Sequence, residues 1–184
     1  MRVAAHNQRP PFEPLKFIPP GEREAVLDLP IRWVNVVAHD PLEGGGNHWC
    51  FYLNVTDARS VRIDMTPSYT VPGVTNRSGS KGIMVVSHLS YAVSRSAEKV
   101  MQIQSRPGCK ARDFINLLVS QKRHQYEFTA DGEGCRFWTD QQIDFLQRSG
   151  LLVDPTQVAA AKNAILTKWP SGGRYPLVVG TYYP

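Results

Sequence analysis

Between Asn47 and Thr66 apolar and polar residues alternate in two successive runs, a period that fits a β-hairpin with one buried face. In the first run Trp49, Phe51, Leu53 and Val55 share one face, and His48, Cys50, Tyr52 and Asn54 share the other. After a turn over Thr56–Ser60 the split repeats, with Val61, Ile63 and Met65 against Arg62, Asp64 and Thr66. The first face is core. The second is polar without being merely charged, because it sets an imidazole, a thiol, a phenol, a guanidinium and a carboxylate side by side.

Elements on either side of the hairpin define the fold class. Residues 1–30 hold six of the fourteen prolines, which removes backbone donors and predicts an extended arm ahead of a single domain over residues 31–184. Ile31–Ala38 reads as a strand, stopped by a loop from His39 to the glycines Gly44, Gly45 and Gly46. Pro67–Gly82, rich in Gly, Pro, Ser and Thr, predicts a long loop, followed by strands near Ile83–Val86 and Val100–Gln104. Ala111–Arg123 has the apolar spacing of an amphipathic helix, and Tyr126–Phe128 is a short extended piece. A further helix runs from Cys135 to a C′ glycine at Gly150. Its successor opens with Asp154 as N-cap and Pro155 at N1, and extends to about Trp169. Leu177–Tyr183 predicts a closing strand. The sum is an α+β domain, an antiparallel sheet packed with two or three helices.

Composition removes several classes of function. The net charge of +5 is spread along the 184 residues; the densest basic group, Gln121–His124, is the charged end of a helix, so no nucleic-acid surface is expected. No apolar run approaches the roughly 18 residues of a membrane helix, and Met1–Pro20 has no apolar core of a signal peptide. Three scattered cysteines, none at C-x-x-C spacing, fit a reducing, cytoplasmic setting. Oligomeric state leaves no mark in the sequence.

Chemistry centres on Cys135. At 100° per residue Leu146, Ile143, Phe145 and Trp138 all fall within about 80° of it, so it points into the packed face of its helix. A cysteine that opens a helix has its thiolate stabilised by free N–H groups and the dipole, and the same N–H groups can hold an oxyanion. Unpaired cysteines are also among the most buried residue types, so packing is the competing role. His48 on the polar hairpin face is a candidate general base, and Asp64 on the neighbouring strand a candidate to orient it.

Other residues compete or assist. Cys50, two residues from His48 on the same face, is a rival thiol without a helix terminus. His39, Asp40, His48 and Asp64 carry donors that suit zinc or non-haem iron, although no H-x-D or HExxH spacing accompanies them. Arg62 and Arg136 are candidates to hold a substrate carboxylate. Tyr52, Tyr126 and Trp49 are candidates to border the site, with packing the simpler role for each.

His48-Trp-Cys-Phe-Tyr-Leu53, Val61-Arg-Ile-Asp-Met-Thr-Pro67 and Tyr126-Glu-Phe-Thr followed by Gly134-Cys135-Arg-Phe resemble, in order, three motifs of the permuted papain-like proteins of the NlpC and lecithin retinol acyltransferase type. The resemblance implies a papain-like fold, a nucleophilic Cys135, a basic His48 and an orienting Asp64. It implies a cysteine-dependent hydrolase, amidase, acyltransferase or cyclase acting on a small-molecule or peptide-like acyl substrate, with no bound cofactor. The alternative is a binding module or non-thiol biosynthetic enzyme that uses the same pocket. The family usually has Asn before its cysteine and His as its third polar residue, where this chain has Gly134 and Asp64. Gly44–Trp49 and Gly132–Trp138 are also similar to an uncharacterised fungal domain family, some of whose members belong to biosynthetic contexts.

Overall fold

The computed structural model describes residues 11–41 and 45–184. In chain order the elements are β1 (Leu15–Ile18), α1 (Arg23–Leu27), β2 (Trp33–Pro41), β3 (Asn47–Thr56), β4 (Arg59–Pro72), β5 (Ser80–Leu89) and β6 (Ala97–Gln104). They are followed by α2 (Ala111–Ser120), β7 (Tyr126–Phe128), α3 (Cys135–Arg148), α4 (Pro155–Ile165) and β8 (Thr181–Tyr182). One eight-stranded sheet runs β6-β2-β3-β4-β5-β7-β8. All its pairings are antiparallel except that of β1, which lies parallel to β5 on the edge that β7 also uses.

The hairpin forms in the register its alternation requires, with Phe51 opposite Ile63 and Tyr52 opposite Arg62. Trp49, Phe51, Leu53, Val61, Ile63 and Met65 enter one core with Phe114 and Leu118 of α2, Trp138 and Ile143 of α3 and Ile165 of α4. Burying each of the larger side chains contributes about 2 kcal/mol, which decides which hairpin face turns inward. Trp138 meets Phe51 edge-to-face at 6.1 Å, fixing α3 across β3. On the opposite face Cys50 and Tyr52 form a small separate cluster with Val37.

The fold class is α+β, and four segments differ from expectation. From residue 11 onward the arm is not simply extended: between its prolines β1 adds to the sheet, burying Phe17, and α1 buries Val26 and Leu27. Prolines here punctuate elements and do not fill them. The loop expected at Pro67–Gly82 shrinks to residues 73–79, because β4 continues to Pro72 and β5 starts at Ser80. That short connection wraps a buried carboxylate: Glu127 accepts backbone N–H groups from Val74 (2.5 Å), Thr75 (3.0 Å) and Asn76 (2.7 Å). Among the described residues the α-helices number four, α1 being the one not foreseen, and the closing strand is only Thr181–Tyr182. Asp154 caps α4 as expected, accepting from the N–H groups of Thr156 and Gln157. Residues 1–10 and 42–44, with Gly44 of the expected loop, lie outside the described residues. Among the described residues no helix is long and apolar enough to cross a membrane.

Candidate active site

At the start of β3 the strand presents His48 on the polar face, and Asp64 of β4 comes alongside it. The His48 Nε2 donates to Asp64 Oδ1 at 2.6 Å. Both side chains are largely covered, with 21% of the His48 and 10% of the Asp64 side chain exposed. The Cys135 side chain acts on the same imidazole. This contact is the looser of the two, and only the Asp64 bond has strict hydrogen-bond geometry.

Electrostatics follow from that geometry. Burial pushes the imidazolium down, but hydrogen bonds to Asp64 and Cys135, with their charges, outweigh it and lift the His48 pKa to about 10. Burial alone would raise the Asp64 carboxyl; the hydrogen bond and charge of His48, helped by Arg62, hold it below its usual range. An imidazolium–carboxylate pair therefore persists at neutral pH, beside a thiol at a helix start.

The local sequence explains how Cys135 arrives there. Gly134 enters α3 with φ of +146°, and a Cβ at that position would sit 3.0 Å from the Tyr126 hydroxyl. Only glycine combines that torsion with so close an approach. The Tyr126 hydroxyl donates to the Gly134 carbonyl at 2.9 Å, while Phe128 and Tyr182 pack on its ring at 5.3 and 5.1 Å. No side chain caps α3, which leaves the first-turn N–H groups beside Cys135 available to an anion.

Beside Cys135 lies a crevice lined by Gly46, Asn47, Glu133, Gly134, Arg136, Tyr175 and Val178. It is narrow, with a cavity volume of about 10 Å³. Cys135 is accordingly 4% exposed.

The remaining candidates divide sharply. Arg62 stays near the centre, its Nε 3.8 Å from Asp64 Oδ2. Tyr52 and Cys50 belong to a neighbouring cluster around His39, whose Nε2 lies 3.3 Å from the phenol oxygen and 3.4 Å from the thiol. Arg136 lines the crevice, and its guanidinium donates to the carbonyls of Ile165, Tyr175 (2.6 Å) and Pro176 (2.9 Å). Tyr126 supports the site from beneath and does not border it, and Trp49, wholly buried, is core. Among the described residues no three His, Cys, Asp or Glu side chains are grouped so as to hold a metal ion.

Three contributors escaped sequence reasoning. Asn47 donates to the carbonyls of His39 (2.8 Å) and Trp169 (2.9 Å) and accepts from the Trp169 N–H at 2.7 Å, pinning the segment after α4 to the start of β3. Tyr175 lies on that segment and donates its hydroxyl to Glu133 Oε1 at 3.1 Å. For Asn47 the signal was its place between a glycine loop and the candidate base. Tyr175 and Glu133 gave none, being 42 residues apart in irregular chain.

Fold and site together define an α+β protein in which a helix-opening cysteine, an imidazole and a carboxylate converge at one end of an antiparallel sheet. The chain belongs to the family described as a domain of unknown function, DUF7770, whose model matches residues 34–183. That span holds the whole convergence and omits β1 and α1. No curated protein and no solved structure gives a significant match.

Proposed function

We propose that the chain is a cysteine-dependent acyl-transfer enzyme of permuted papain-like design, acting on a small-molecule or peptide-like acyl substrate. The observation that carries this reading is the 2.6 Å His48–Asp64 bond together with Cys135 at the start of α3 on the same imidazole. In this reading Cys135 attacks the acyl carbon as its thiolate, and N–H groups of the α3 first turn hold the oxyanion. His48, kept protonated by Asp64, gives its proton to the leaving group as the carbon–leaving-group bond breaks, leaving a thioester. Water or an amine then loses a proton to His48, adds to the thioester and releases the acid or amide with the thiolate. The order of a strand histidine, a neighbouring-strand carboxylate and a later helix-opening cysteine supports the papain-like assignment.

The 4% exposure of Cys135 favours a second reading, a non-covalent binding module built on the same pocket. Iodoacetamide labelling at about pH 6, read by mass spectrometry at Cys50, Cys109 and Cys135, separates the two. The enzyme reading expects Cys135 to label first and its rate to fall about a hundredfold in His48→Ala. A Cys135 no faster than Cys109, or indifferent to His48, sinks the covalent mechanism.

A further inference from the structure

The chain that leaves α4 crosses back over the nucleophile. Three separate holds keep it there. Arg136, next to Cys135 in sequence, grips the carbonyls of Tyr175 and Pro176 and places its guanidinium 4.8 Å from the Tyr175 ring centre. The Tyr175 N–H donates to the Leu166 carbonyl at 2.9 Å, and its hydroxyl donates to Glu133. Between these holds the ring closes the crevice against Gly46: a Cβ there would stand 2.9 Å from Tyr175 Cδ1 and 3.1 Å from Arg136 Cδ. The neighbours Arg174, Pro176 and Val179 are exposed, and no regular secondary structure holds residues 175–180.

The geometry points to Tyr175 as the specificity-determining residue of the Cys135 site, a gate that admits only slender acyl groups able to pass between its ring and Gly46. This rests on the acyl-transfer reading. A bulky or branched group has no space while the ring is in place, and at Gly46 even a methyl group would collide with it. The Glu133 carboxylate positions the gate through the hydroxyl, and Arg136 holds its backbone, which explains why a buried guanidinium follows the cysteine.

The test compares alkylation of Cys135 by iodoacetamide and by a naphthalene-substituted iodoacetamide, each normalised to its rate with free cysteine. Wild type is expected to prefer the small reagent by at least about tenfold, and Tyr175→Ala to bring the ratio near one. Tyr175→Phe, which keeps the packing and loses only the Glu133 bond, should weaken the preference by about threefold and guards against misfolding of the alanine variant. Gly46→Ala should slow even iodoacetamide, and adding Tyr175→Ala should restore it. A labelled Cys135 whose size preference ignores both positions overturns the gate and leaves the acyl-transfer reading standing. A Cys135 inert to the small reagent in wild type and in Tyr175→Ala overturns both.

Discussion

Two thiol–imidazole pairs lie on neighbouring parts of this sheet, and they have opposite characters. His48 has a carboxylate at 2.6 Å and a helix-opening cysteine beside it, and its pKa is lifted to about 10. His39, its ring centre 6.3 Å from that of His48, has a serine hydroxyl at 3.2 Å and the Cys50 thiol at 3.4 Å, with no carboxylate among the described residues bonded to it. Burial, reinforced by the charge of His48, pushes His39 down, and burial pushes the Cys50 thiol well up. The same imidazole side chain is thus charged in one place and neutral in the other. What differs is a buried carboxylate and a helix terminus, not proximity of sulfur to nitrogen.

Removing the carboxylate is the strongest way to break this contrast. Asp64→Ala leaves His48 and Arg62 facing each other without a counter-charge, and a broken buried pair costs on the order of 3 kcal/mol. Chemical denaturation should show that loss, and Cys135 labelling at about pH 6 should fall towards the rate of an ordinary buried thiol. His39→Ala serves as the contrast, with Cys135 labelling expected to stay within about threefold of wild type. Equal effects of the two substitutions would erase the distinction between the pairs.

The pH dependence of stability sharpens the contrast with a smaller effect. A histidine lifted from 6.5 to about 10 contributes stability that is complete below about pH 6.5 and is lost as pH rises towards 10. Asp64, held below 3.8, contributes stability that is complete above that value and is lost as the medium becomes more acidic. The pair is therefore fully effective between about pH 4 and 6.5. Urea midpoints across pH 3–10 should fall on both flanks in wild type and flatten in the double variant His48→Ala/Asp64→Asn. His39→Ala should keep both flanks.

The reason the charged pair was visible in the sequence, and much of its setting was not, is the range of the interactions involved. Period-two alternation fixed the face and register of His48, Cys50, Arg62 and Asp64, and helix-end chemistry placed Cys135, Gly150 and Asp154. These are local signals. Arg136 looked free because its partners are backbone carbonyls of residues 165, 175 and 176, which carry no side-chain code. The same holds for Glu127, whose donors are the N–H groups of residues 74–76. Proline density hid β1, since four residues between Pro14 and Pro19 suffice for a strand once β5 offers an unpaired edge.

The smallest effect tests the neutral pair itself. Cys50 is wholly buried among Val37 and Tyr52, and among the described residues its sulfur has only the uncharged ring of His39 as an ionisable partner at hydrogen-bond range. Cys50→Ala removes one buried atom and no charge, so the expected cost is about 1 kcal/mol, set by the small cavity and the lost weak bond. Cys135 labelling should be unchanged, and in wild type Cys50 should label only as the protein unfolds in urea. A Cys50 that labels in the native state as fast as Cys135, or a Cys50→Ala variant whose Cys135 no longer labels, would mean that the two pairs act as one site and that the carboxylate does not separate them.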